Sequence, residues 1–355
     1  MISSEFIFFA CFAVFICGML MLDLGVFSRK NHVISFKEAA IWSGVWVALA
    51  VGFYFILRTH GDWIHGIDNF AELKDIVERY ELPIKLNEDN FQAGLEAYRY
   101  NMSLEYITMY LLEYTLSADN IFVIIMVFSA FGVKEKYYKK VLFWGILGAL
   151  IMRFIFIWVG SELVARFHWI LWIFGGFLIY TGVKSFFEKE DDEQIEPQKH
   201  PVVKFASKYF SVYPRYVRDR FFIRRQGTLM ITPLFLVLLI IEFTDLIFAV
   251  DSIPAAFSVS RDRMVIYFAN IFAIMGLRSM FFFLSNIMHI FHYLKIGLSF
   301  LLTYIGIKMI FAEQLKEIGF KNVYSIFVIL GILTISVVAS LVFPVKKELV
   351  EKAET

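Results

Sequence analysis

Residues 111–121 read LLEYTLSADNI, and residues 245–254 read DLIFAVDSIP. Each stretch lies inside a long apolar run, and each carries carboxylates where a membrane helix should have none. A charged side chain near the centre of a bilayer costs roughly 2.5–3.5 kcal/mol on insertion scales. The two stretches also align with each other. Glu113-x5-Asp119-Asn120-Ile121 answers Asp245-x5-Asp251-Ser252-Ile253, with Glu242 added just ahead of the second. A chain that places matched acids at such depth must also supply something to compensate them: a cation, protons or an arginine.

Composition sets the frame. Of 355 residues, 59% are hydrophobic and only 19% charged, against about half and a quarter in a soluble domain. Several runs exceed the roughly 18 apolar residues that mark a membrane span. The chain reads as an all-α polytopic membrane protein. Its net charge of +1 gives no reason to expect nucleic acid. The partner implied by composition is the lipid bilayer, and no protein partner can be read. The two cysteines, Cys11 and Cys17, form no CxxC or Cys/His cluster and read as small buried fillers. The N-terminal segment carries Glu5 and lacks a positive head and a small-residue cleavage site, so it reads as a retained first span.

Nine spans are expected, at 3–27, 37–57, 104–130, 138–161, 167–187, 229–256, 264–286, 288–311 and 323–343. Eight is the alternative, because the turn near His289 and His292 is a weak break. The positive-inside rule orients them. Lys and Arg crowd the first, third and fifth loops and the tail, whereas 58–103 is rich in acids. The N-terminus therefore falls outside and the C-terminus in the cytoplasm. The organisation expected is two spans in 1–57, an extracytoplasmic segment at 58–103, a three-helix unit at 104–187, a cytoplasmic basic loop at 188–228, a second unit at 229–311, and a last span with its tail at 312–355. Residues 58–103 read as a solvated connector rather than a surface helix, and the acidic EKEDDEQIE (188–196) as a solvated linker.

The two units match beyond their acids. LIYTGVKSFF (178–187) matches LTYIGIKMIF (302–311), and FHW (167–169) meets FHY (291–293) at the same offset. ILGALIMR and IFAIMGLR end on Arg153 and Arg278. The matches fall in the same order across three spans each, which marks an internal duplication. An odd number of spans inverts the second unit. Inverted repeats are a feature of secondary transporters, whose sites lie near the midplane where the units meet.

Helix geometry sorts the acids. Glu113, Ser117 and Asn120 share a face, as do Asp245 and Ser252. Asp119 and Asp251 point about a third of a turn away in a straight helix. Either they serve a second contact or the helix is broken between. Pro254 favours a break in the second copy, since it removes the helical donor to the Val250 carbonyl. Carboxylates with a backbone carbonyl and Asn or Ser oxygens make an all-oxygen site, suited to Mg²⁺, Ca²⁺ or Mn²⁺. The candidate ligands are Glu113, Asp119, Asn120, Glu242, Asp245, Asp251, Ser252 and Asp23. Asp23 reads equally as a capping partner for Arg29. Arg153 and Arg278 are the counter-charges, and pairing that merely holds the bundle together is the alternative role for the acids. His168 and His292 read as turn packing. No P-loop, HExxH or GxSxG appears, so neither an enzyme nor a resident cofactor is expected.

MLDLGVFSRK (21–30), EYTLSADNIFVI (113–124), the Arg153 span and EFTDLIFAVDSIPAAF (242–257) together resemble the TerC/Alx family of bacterial inner-membrane proteins. The likeness covers most of the chain, although segment 58–103 is longer than the family leads one to expect. The resemblance implies a bacterial inner-membrane location and Mn²⁺ export, with tellurium resistance by name and a response to alkaline pH. It assigns Glu113, Asp119, Asp245 and Asp251 as the acids required for metal handling, with Asn120, Glu242 and Ser252 in the same motifs. The expected function is secondary export of a divalent cation, Mn²⁺ first, driven by returning protons. The alternatives are export of Ca²⁺ or a small polar solute, and a scaffold for stress-response partners.

Overall fold

The computed structural model describes residues 4–23, 35–167, 169–187, 201–225, 227–287, 293–311, 314–315 and 322–342. The helices are α1 (Ser4–Asp23), α2 (Phe36–His60), α3 (Asp62–His65), α4 (Phe70–Arg79), α5 (Phe91–Ala130), α6 (Glu135–Arg166), α7 (Ile170–Phe187), α8 (Pro201–Tyr209), α9 (Pro233–Phe257), α10 (Arg263–Met275), α11 (Leu277–Ile287), α12 (Leu294–Ile310) and α13 (Asn322–Val342). Short polar side chains start several of them by accepting from orphan backbone N–H groups. Ser35 caps α2, Asn69 caps α4, Asn90 caps α5 and Asp262 caps α10. Gly66 and Gly132 take φ of 64° and 58° at the turns after α3 and α5, where a side chain would be strained.

Among the described residues, four stretches are long and apolar enough to cross a membrane: α2, Glu135–Leu163 of α6, α9, and Arg263–Ser285, which runs from α10 into α11. α1, α7, α12 and α13 hold shorter apolar stretches. α5 has 40 residues and is therefore about 60 Å long, twice the roughly 30 Å of a bilayer core. Val14, Phe187 and Ile335 are all at least 70% exposed, as lipid-facing side chains would be. Inside, rings of Phe12, Phe53, Phe268 and Phe272 lie 4.5–5.7 Å apart and join α1, α2 and α10.

α5 packs on α10, α6 on α9, and α7 on α12. The last pair approaches closely enough to need glycine. A Cβ on Gly175 would lie 3.0 Å from the Gly306 carbonyl oxygen, and one on Gly306 would lie 2.6 Å from that of Gly175. A Cβ on Gly182 would sit 2.7 Å from the Ser299 carbonyl oxygen.

Three expectations need correction. First, α9 is unbroken from Pro233 to Phe257 with Pro254 inside it, and α5 is unbroken through its acids. Pro254 lies in the last turn, so the bond it denies Val250 interrupts little of the helix. Second, 58–103 is not a connector. It contains the end of α2, all of α3 and α4, and the start of α5. Leu73, Ile76 and Val77 bury one stripe of α4, which the i, i+3, i+4 spacing produces. Third, Cys11 and Cys17 are exposed on α1 and are not buried fillers. Between α8 and α9 the otherwise helical chain adds three short strands. Strands β1 (Ser211–Val212), β2 (Phe222–Arg225) and β3 (Thr228–Ile231) form a small sheet in the order β1-β3-β2. β1 runs parallel to β3 and β2 antiparallel. The Tyr216 hydroxyl donates to the Phe131 carbonyl at 2.7 Å, and Lys140 reaches Asp219 at 3.2 Å. The sheet is thereby held to the α5–α6 turn, at the opposite end of the bundle from α3 and α4. Residues 188–196, Arg29, His168, His289 and His292 lie outside the described residues.

Candidate functional site

Four helices converge on one buried arginine. Arg153 of α6 donates through one terminal nitrogen to Glu113 Oε2 of α5 and to Asn270 Oδ1 of α10. Its other terminal nitrogen lies 3.8 Å from Asp245 Oδ1 of α9. Asn120 Nδ2 donates to the same Asp245 oxygen at 3.4 Å. Arg153, Glu113, Asn270, Asn120 and Asp245 are all buried. One fixed positive charge thus faces two carboxylates, and the attraction is strong because water is excluded.

The pairing leaves oxygen to spare. Glu113 Oε1, Asp245 Oδ2, Asn120 Oδ1, Ser117 Oγ and Ser252 Oγ are buried without a hydrogen-bond partner. Buried polar atoms are almost always satisfied, so a group of orphans on two adjacent helices calls for a ligand or water. A cavity of about 30 Å³ opens beside two of them, lined by Asn120 and Asp245 with Gly145 and Thr244 among apolar neighbours. That volume admits about two waters. Glu242 lies one turn before Asp245, and its carboxylate oxygens occupy the space a side chain at Gly148 would take, 2.0 and 2.2 Å from the Cβ position. Gly148 is therefore the notch in α6 that lets Glu242 lie against the bundle.

The structure brings Glu113, Asn120, Asp245 and Arg153 together and puts Ser252 in the buried part of α9, two turns from Asp245. Asp119 and Asp251 lie on α5 and α9, and Asp23 ends α1; their side chains are outside the described residues. Arg278 is buried at the start of α11. Among the described residues, no three His, Cys, Asp or Glu side chains group closely enough to hold a metal ion. The donor set is all oxygen and fits a hard cation, but the described acids alone do not complete a cage. Asn270 escaped the sequence reading. An asparagine inside IYFANIF (266–272) is the signal that marks it, since an amide in an apolar run needs a partner.

Comparison with known proteins places the chain. Residues 99–348 match the integral membrane protein TerC family. A membrane protein of Myxococcus xanthus, STKORF319, is 40% identical over 333 residues, covering 94% of this chain and 91% of the relative. Alx of Escherichia coli K12, whose name describes a membrane-bound redox modulator, is 37% identical over 308 residues, 85% of each chain. Alx of Photorhabdus laumondii is 39% identical over 303 residues, again 85% of each. No solved structure matches.

Proposed function

This chain belongs to the TerC family of integral membrane proteins, and from that premise we propose that it is a secondary exporter of a divalent cation, Mn²⁺ first, working from a bacterial inner membrane. The observation that carries the reading is the set of buried, partnerless oxygens on α5 and α9 around an arginine. Arg153 and a divalent cation are alternative partners for Glu113 and Asp245. A cation entering between the two helices would take those carboxylates with Asn120, Ser252 lying two turns further along α9 as a second polar station, and Asp119 and Asp251 would add the charge that the described acids lack.

Nine spans, six of them in two inverted three-helix units, would suit this role. The glycine contacts support the inversion. By the LIYTGVKSFF match, Gly182 corresponds to Gly306 and Gly175 to Ser299. Gly175 touches Gly306, and Gly182 touches Ser299. Such exchange of partners is what a two-fold axis between α7 and α12 requires.

The relatives' name points to redox modulation instead. Among the described residues thiol chemistry would run through Cys11 and Cys17, both free and exposed on α1, a helix that carries none of the Arg153 contacts. One experiment separates the readings. Cells lacking their own Mn²⁺ exporter are given wild type, Asp245→Asn, or Cys11→Ser/Cys17→Ser. Asp245→Asn is expected to slow Mn²⁺ efflux by about tenfold or more, equivalent to ~1.4 kcal/mol or more of barrier, while the thiol-free form exports normally. Equal Mn²⁺ content in the wild-type and Asp245→Asn strains would falsify the exporter reading.

A further inference from the structure

Between α9 and α10 the chain reads Ser260-Arg261-Asp262-Arg263, and each of these four residues holds a different element. The Ser260 hydroxyl donates to Glu105 Oε2 of α5 at 2.6 Å. Arg261 pairs with Glu81, just beyond α4. Asp262 Oδ2 lies 2.8 Å from Nε2 of His65 on α3. The Arg263 guanidinium sits 4.0 Å above the Trp158 ring of α6. His65 also bonds through Nδ1 to Glu5 of α1 at 2.8 Å. The turn is braced internally as well. The Asp262 N–H donates to Ser260 Oγ, and the Met264 N–H to Asp262 Oδ1. Glu81 adopts φ of 49°, a left-handed conformation that costs a non-glycine residue energy and persists only where surroundings enforce it. The 6→1 bond from the Leu82 N–H to the Val77 carbonyl at the end of α4 holds it there, which presents the Glu81 carboxylate to Arg261.

We propose that this turn is the gate at the α3–α4 end of the transport pathway, clasped shut in this structure with His65 as its pin. The word gate rests on the exporter reading above; the clasp does not. Behind the turn, Glu105 is buried and also accepts from Asn101 at 2.7 Å. The Tyr98 hydroxyl is buried without a hydrogen-bond partner, among Asp262, Glu105, Asp62 and Tyr80. Glu105 precedes Glu113 by about two turns of α5, or about 12 Å. On the exporter reading, a cation leaving the deep site toward this end would pass Glu105 and the turn that covers it. The Ser260–Glu105 bond ties one three-helix unit to the other, so relative motion of the units must break it.

The pin is titratable. The His65 side chain is fully enclosed. It faces Glu5 from α1, Asp262 from the turn and the Tyr80 ring at 5.3 Å from the end of α4, with Arg79 and Arg263 in range of Glu5. Burial works against its charge, but the Asp262 and Glu5 carboxylates outweigh burial and hold the imidazole up at about 9. A raised value means the clasp is whole below the ordinary histidine range, about 6.5, and is lost as pH climbs through about 9.

Two measurements test the proposal. The first needs no transport: amide hydrogen exchange across residues 258–266 of the full chain in lipid nanodiscs. After correction for intrinsic rates, protection is expected to fall about tenfold or more between pH 7 and pH 10 in wild type, and to be low at both values in His65→Gln. Protection indifferent to pH and to the substitution overturns the clasp. The second joins Glu81→Cys to Arg261→Cys in a Cys11→Ser/Cys17→Ser background. Bridging the two thiols with a bis-methanethiosulfonate reagent is expected to stop Mn²⁺ flux in proteoliposomes, and reductant to restore it, the spacer spanning the distance that the Arg261–Glu81 pair now covers. Full flux through the cross-linked protein overturns the gate. Wild type that carries no Mn²⁺ removes the exporter reading and the gate with it, while the exchange result still decides the clasp.

Discussion

Arg153 shows why buried charge is specified as a set. It holds Glu113 and Asn270 directly and faces Asp245 at 3.8 Å. Removing it leaves two carboxylates uncompensated in a dry interior. Arg153→Ala is expected to destabilise the protein by about 3–5 kcal/mol, whereas Arg153→Met with Glu113→Gln should cost less, because the orphaned charge goes with its partner. Denaturant unfolding in detergent measures both; a double variant as unstable as Arg153→Ala would remove the argument. These charges were legible in the sequence because each interrupts an apolar run and must be answered. Which acid meets which arginine was not. Asn270 stands 117 positions from Arg153, and only the packing of α10 against α6 brings them together.

At the scale of elements, apolar runs reveal spans and leave their decoration obscure. The stretches containing α2, α6 and α9 stand out by length and hydropathy. α4 does not, since the charged residues of AELKDIVER outnumber its three buried apolar residues. Strands of two to four residues are too short to carry a period. Pro254 misled because a proline's cost depends on how much helix follows it, and here only three more residues do. The α7–α12 contact is a place where a single methyl decides. Gly306→Ala puts a Cβ 2.6 Å from the Gly175 carbonyl oxygen, a backbone atom that yields only if the helices part. A cost of about 1–3 kcal/mol is expected. Gly176→Ala, one residue along α7 from Gly175, meets nothing within 4 Å and should be neutral or stabilising through helix propensity. Thermal unfolding of the two variants decides this, and equal melting would show that the close approach contributes nothing.

For the whole molecule, the exporter reading makes a quantitative demand. Glu113, Asp245 and Arg153 sum to one negative charge. Releasing a divalent cation from among them changes the charge of a buried site by two, which a low-dielectric interior resists. Two protons, one on each carboxylate, would keep the charge constant through the cycle. Exchange of two protons for one Mn²⁺ is electroneutral, so each unit of pH difference should sustain about a hundredfold Mn²⁺ gradient, two factors of ten at ~1.4 kcal/mol each. Proteoliposomes loaded with Mn²⁺ and held at a fixed pH difference give this ratio directly. A steady-state ratio near a hundred per pH unit that is insensitive to membrane potential supports the two-proton exchange. A ratio near ten that grows with potential means that a single proton returns and that Arg153 supplies the remaining compensation. A ratio of one at every pH difference removes proton coupling, and the energy for export would then have to come from another ion.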